Sequence, residues 1–164
     1  MSTIHQARDA YVLGADEGAA IWLLGELHIW KATGVATAGA YALMENHVAP
    51  GHEPPRHVHH REDEAWYVLE GEATFQVGDR SLPAPAGSFV FAPKGIPHGF
   101  TVRGPAPARL LVVVSPAGFE QFSEEMGRPA EARTVPPPAA PDLGKLAALT
   151  EKYGLEVVGP PPGH

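Results

Sequence analysis

Gly51-His-Glu-Pro-Pro-Arg-His57-Val-His59-His-Arg-Glu-Asp-Glu64-Ala-Trp-Tyr-Val-Leu-Glu-Gly71 sets His57, His59 and Glu64 between bounding glycines. Gly87-Ser-Phe-Val-Phe-Ala-Pro93-Lys-Gly95-Ile-Pro-His98 adds a third histidine beyond a Pro-x-Gly turn. Residues two apart on a strand face the same side, so His57 and His59 project together. Four polar turn residues bring the chain back, and Glu64 then opens the next strand opposite the two imidazoles. Pro93 and Gly95 make the second turn, and His98 starts a further strand. Three neutral imidazoles and one carboxylate suit a single borderline divalent cation such as Fe, Mn, Ni, Co, Cu or Zn. They also leave coordination positions open for water, substrate or dioxygen.

Outward from these stretches, Ala20 to Val114 is a series of short apolar segments separated by turn residues, the signature of an all-β sandwich or barrel. Ile21–Trp30 and Ala38–Val48 read as the first two strands. Arg56–His60, Glu64–Leu69 and Thr74–Val77 follow. Gly78-Asp79 is a two-residue hairpin signal before Arg80-Ser-Leu. Ser88–Ala92, Gly99–Val102 and the doubly apolar Arg109–Val114 complete the set.

The pattern changes at Ser115. Ser115-Pro116 is expected to open a short helix through Met126, with Ser115 as N-cap and Gly127 as the stop. Arg133 to Pro141 is a Pro-rich linker. A second helix is expected from Asp142 as N-cap to Tyr153, with Gly154 just beyond it. Its stripe of Leu143, Leu146, Leu149 and Tyr153 must dock on something. The expected organisation is an N-terminal segment over 1–19, a β domain over 20–115, and a C-terminal extension over 116–164 with two short helices.

Composition narrows the partners. The 164 residues carry 44% apolar side chains, enough for a packed core, and a net charge of −7. An acidic balance argues against nucleic acid or an anionic membrane surface as partner. With no cysteine, disulfides, thiolate metal sites and cysteine nucleophiles are excluded. No apolar run approaches the roughly 20 residues of a membrane helix, and the N-terminus lacks a secretory apolar region. A soluble cytoplasmic protein is expected. Five of the nine histidines fall between His47 and His60, and since histidine is the commonest metal ligand and titrates nearest neutral pH, such clustering needs an explanation.

The two quoted stretches resemble the two motifs of the cupin superfamily at all nine defining positions: Gly51, His57, His59, Glu64, Gly71, Gly87, Pro93, Gly95 and His98. Fifteen residues separate the two blocks, the compact spacing of microbial cupins. Val102 stands where the family often carries Asn, a position that is not a ligand. The resemblance implies a small jelly-roll barrel over 20–115, with His57, His59, Glu64 and His98 as ligands of one metal. Pro54-Pro-Arg-His-Val-His, Tyr67-Val-Leu-Glu-Gly71 and Pro116-Ala-Gly-Phe-Glu-Gln-Phe look like single-domain bacterial cupins related to quercetin 2,3-dioxygenases. That likeness implies a metal-dependent dioxygenase for an enol, flavonol or diketone-like molecule. Glu64 would be a fourth ligand that can swing away as general base, and the chain would pair as a homodimer.

Neighbouring residues divide by strand parity. His60 faces away from His57 and His59 and is expected in solvent. Glu62 and Asp63 read as turn residues, because loop length selects Glu64 as the carboxylate. His52 reads as a solvated loop histidine, and His47, His28 and His5 as structural or exposed. Trp66 and Val68 share parity with Glu64, and Phe100 with His98. Val68 reads as plain core, whereas Trp66 and Phe100 are candidates for an apolar substrate wall. Tyr67 is expected on the outer face. Two other functions stay open: a metal-dependent isomerase or decarboxylase, and a non-catalytic module that binds or senses a small molecule.

Overall fold

The structure, a computed structural model, describes residues 9–163; His5 lies outside them. Among the described residues twelve strands form two antiparallel sheets, the all-β jelly-roll arrangement the sequence implies. The seven-stranded sheet runs β11(Arg128–Pro129), β1(Ala19–Leu23), β2(Glu26–Ala32), β3(Ala42–Val48), β10(Ala108–Ser115), β5(Asp63–Glu70), β8(Phe89–Ala92). The five-stranded sheet runs β12(Leu155–Gly159), β4(Arg56–His59), β9(His98–Arg103), β6(Glu72–Val77), β7(Arg80–Pro85). Three helices accompany them: α1(Gly34–Thr37), α2(Phe119–Met126) and α3(Leu143–Tyr153). None of the helices is long and apolar enough to cross a membrane, among the described residues.

The inward faces of both sheets enclose one core, with Val68, Phe75, Leu110, Val112 and Val114 fully buried. Along β10, Ala108, Leu110, Val112 and Val114 alternate with half-buried Leu111 and Val113, so only one face of that strand is core. The Gly78-Asp79 hairpin forms as expected, with Val77 opposite Arg80. Gly71, the closing glycine of the first motif, has φ +80°, and a Cβ there would lie 3.1 Å from the Cα of Ala108. Only glycine passes so close to a neighbouring backbone in that conformation.

Several boundaries differ from the sequence reading. Ile21–Trp30 is not one strand but a tight hairpin, in which Leu24 and Gly25 both take positive φ and turn the chain between β1 and β2. Residues 38–41 precede β3 and follow α1, so that strand starts at Ala42. Ser115 does not cap a helix. It is the last ladder residue of β10, opposite Asp63, and its hydroxyl donates to the carbonyl of Ala40. Helix α2 begins later, after Gly118, where the buried Glu120 carboxylate accepts the N–H groups of Gly118 and Gly34.

Helix α3 matches its expected ends. Asp142 Oδ1 accepts from the N–H of Lys145, and Gly154 closes the helix with φ +67°. Leu146, Leu149 and Tyr153 dock with Leu23 and Phe122, but Leu143 at the head of the stripe remains exposed. Beyond the helix, β12 pairs antiparallel with β4, setting Leu155 opposite His59 and Val157 opposite His57. The C-terminal extension is thereby built into the five-stranded sheet, an element the sequence reading omits.

Candidate metal centre

Strand β4 carries His57 and His59 on one face, β9 contributes His98 directly opposite His57, and β5 supplies Glu64 from the other sheet. The turn between β8 and β9 is tied to the first motif by two bonds. Gly95 N–H donates to the carbonyl of His59, and Lys94 N–H donates to Asp63 Oδ1 at 2.8 Å. Asp63 therefore does more than fill a turn: it fastens the loop that delivers His98.

The four side chains converge on one point. Glu64 Oε2 lies 2.9 Å from His98 Nε2, 3.1 Å from His59 Nε2 and 3.9 Å from His57 Nε2. One ligand atom from each residue falls within 4.8 Å of all the others. His59, Glu64 and His98 are buried and His57 is half-buried.

The far nitrogen of every ring has its own acceptor. His57 Nδ1 bonds the carbonyl of Pro55 at 2.8 Å, and His98 Nδ1 bonds that of Ile96 at 3.0 Å. His59 Nδ1 meets Glu62 Oε2 at 3.2 Å. A carbonyl or carboxylate oxygen only accepts, so these contacts set a proton on each Nδ1 and aim each Nε2 at the shared point, where a metal would displace any proton it carries. Metal-binding histidines are held in this way. His59 Nε2 is buried yet lacks hydrogen-bond geometry to any partner, including Glu64. Three oriented imidazoles, a carboxylate and an orphaned buried nitrogen fit a divalent transition metal.

Charge is shared unevenly in the cluster. Burial opposes protonation of His59, but the carboxylates of Glu64 and Glu62 on either side outweigh it and lift the ring to about 9. Burial, with the like charges of His59 and His98, pushes His57 down. Burial would raise the Glu64 carboxyl, yet the surrounding imidazoles hold it well below the usual carboxylate range.

A cavity of about 70 Å³ opens from the cluster, lined by His57, Glu64 and His98 and by apolar side chains of the barrel and the C-terminal extension. Trp66 and Phe100 both line it, while also packing in the core against Phe75. The Trp66 ring meets the His98 ring edge-on at 5.3 Å, and Phe119 of α2 meets His59 at 5.3 Å.

Outside the cluster, His60 is exposed and pairs with Glu156, and Tyr67 is exposed on the outer face. His47 pairs with Glu45, and His52 is half-buried in its loop with Nδ1 enclosed rather than solvated. Two contributions escaped the sequence reading. Glu62 is buried and bonded to His59, although no spacing rule singles it out from the acidic run Glu62-Asp-Glu64. His28 is structural as expected, but with Glu26 and Asn46 it lines the same cavity.

Residues 44–114, from β3 through β10, match the Cupin domain family. That match covers the barrel strands, which have the cupin fold. A curated relative, the tetracenomycin polyketide synthase protein TcmJ of Streptomyces glaucescens, is 30% identical over 105 residues, covering 64% of this chain and 66% of that protein. The chain thus spans just under two thirds of that relative's length. Among solved structures, an RmlC-like cupin from Shewanella frigidimarina superposes with a TM-score of 0.57 at 22% identity, over 71% of this chain and 99% of that one. The nucleoside dehydratase Pac13 of Streptomyces superposes at 0.56 and 18% identity, over 69% and 88%. These two likenesses support the cupin fold.

Proposed function

We propose that this cupin is a metal-dependent enzyme for an enol, flavonol or diketone-like small molecule, and that it cleaves that molecule oxidatively with dioxygen. The observation that carries the reading is the convergence of three tethered Nε2 atoms on Glu64 Oε2 at the head of an apolar cavity. In this reading His57, His59, Glu64 and His98 hold one divalent ion drawn from Fe, Mn, Ni, Co, Cu and Zn. Such an ion, when bound, supplies Lewis acidity that stabilises an enolate.

The protein supplies the rest. Glu64 Oε2 is the carboxylate placed to take the acidic proton of the substrate. Trp66 and Phe100 pack against the flat apolar body of the substrate and keep water out. The substrate itself furnishes the electrons that reduce dioxygen, and both oxygen atoms enter the products, so no separate reductant is required.

One observation favours a second, non-oxidative reading. The curated relative is named as a polyketide synthase protein, and 1,3-diketones of the polyketide kind enolise readily. Ring closure, isomerisation or decarboxylation would use the same enolate without dioxygen.

Metal-loaded protein is to be screened with flavonols and 1,3-diketones at an oxygen electrode. Oxygen uptake that a chelator abolishes supports the first reading. Turnover at the same rate without oxygen replaces it by the second. Saturable binding without turnover makes the barrel a binding module.

The outer face of the seven-stranded sheet supports a homodimer as part of this proposal. Tyr67 and Phe89 are register partners there, and both are exposed together with Phe91. A second copy of the chain would cover these exposed aromatic side chains. Phe89→Glu should convert a sedimenting dimer to a monomer, and a wild-type chain that sediments as a monomer would refute the pairing.

A further inference from the structure

The cavity holds a second polar group that the proposed chemistry leaves unused. Glu26 and His28 lie two apart on β2 and share its inward face, and Asn46 stands opposite His28 on β3. Their exposures are 5%, 1% and 3%, and all three line the cavity.

The hydrogen bonds among them fix which atoms are donors. His28 Nε2 lies 2.8 Å from Glu26 Oε2, and Asn46 Nδ2 donates to the same oxygen at 3.2 Å. A carboxylate oxygen cannot donate, so the imidazole proton sits on Nε2 and the amide NH₂ faces Glu26. His28 Nδ1 then accepts from the buried Ser123 hydroxyl of α2 at 3.2 Å. Two oxygens remain: Glu26 Oε1 and Asn46 Oδ1 are buried and have no hydrogen-bond partner. Both are acceptors, on adjacent strands, and leaving a buried acceptor unpaired is unfavourable. His28 locks Glu26 in place, and Ser123 locks His28.

We propose that Glu26 Oε1 and Asn46 Oδ1 form a paired-acceptor subsite that recognises a hydroxyl or N–H donor on the substrate. The inference rests on reading this cavity as a substrate site, and it does not depend on a metal. It narrows the substrate to molecules that carry a donor in addition to the oxygen atoms turned toward His57, His59, Glu64 and His98. An ether, ketone or carboxylate at that position would set lone pairs against lone pairs and is rejected.

Phenol and anisole, which differ only by the methyl replacing the hydroxyl proton, test the subsite. Each is titrated calorimetrically into the full-length chain after chelator treatment. Wild type should bind phenol at least about tenfold more tightly than anisole, the ratio expected for one hydrogen bond to a charged acceptor. Asn46→Leu keeps the volume and removes one acceptor, and Glu26→Gln keeps the shape and removes the charge. In each folded variant, checked by circular dichroism, the preference should fall below about threefold. Equal binding of the two compounds to wild type, no binding of either, or an unchanged preference in both variants overturns the proposal. Metal content is measured on the same preparations. A protein that prefers phenol yet binds no metal refutes the metal reading and leaves the subsite standing.

Discussion

Glu62 Oε2 lies 3.2 Å from Nδ1 of His59, on the side of the ring opposite Glu64. The imidazole is thus clamped between two buried carboxylates, one turned to the shared centre and one holding the ring from behind. Removing such an outer partner typically costs 10–100-fold in metal affinity. Glu62→Ala should lower affinity by about that factor while circular dichroism still reports the barrel. Competition against a chromophoric chelator measures it. Unchanged affinity would mean that packing against Phe119 alone orients His59.

Protons compete with a metal for the same ring. His59 in the metal-free chain titrates at about 9, so near neutral pH it carries a proton that metal binding must displace. Apparent affinity should rise about tenfold per pH unit from 7 toward 9 and level off above. The stability of the metal-free fold follows the opposite course. Because the folded value lies above the ordinary 6.5, the stabilisation is fully present below 6.5 and is lost as pH climbs through about 9. Titrations at fixed ionic strength and melting curves across this window check both trends. A flat affinity would show that His59 is neutral before metal arrives.

The C-terminal extension bears on the site through packing. Leu149 is buried against Leu23 and Phe122, and a Leu→Ala change at such a position costs about 2 kcal/mol or more. Leu149→Ala should lower Tm by roughly 4–8 °C. Truncation after Pro138 should cost more, because it also strips β12 from β4, the strand that carries His57 and His59. Unchanged melting and metal binding in the truncated chain would show that the extension is dispensable.

Gly71 tests the reading of the first motif as architecture as well as chemistry. With φ +80° and Ala108 Cα only 3.1 Å from a built Cβ, Gly71→Ala forces either strain or a shift of β10. A destabilisation of about 1–3 kcal/mol is expected, read by thermal or urea denaturation. A neutral substitution would show that β10 yields.

The site was legible in the sequence because its logic is local. Strand parity pairs His57 with His59, and short fixed turns deliver Glu64 and His98, so one-dimensional spacing encodes the geometry. The barrel strands were legible for the same reason. What escaped depends on contacts far apart in the chain. Leu24-Gly25 turns β1 into β2 without a typical hairpin dipeptide. Leu155–Gly159 lies between a helix end and Pro160-Pro-Pro and becomes a strand because β4 offers its edge. Ser115-Pro116 looks like a helix start in isolation, but β5 claims Ser115 for the sheet. Glu26, His28 and Asn46 share a face only because β2 lies against β3.

The most direct test of the account is the metal content of the purified chain, wild type and with His57→Ala, His59→Ala or His98→Ala, after equilibration with one divalent ion and removal of the excess. About one ion per wild-type chain is expected, with at least a 10–100-fold loss of affinity in each variant, since removing a ligand should cost no less than removing its outer partner. Equal metal content in wild type and all three variants would contradict it.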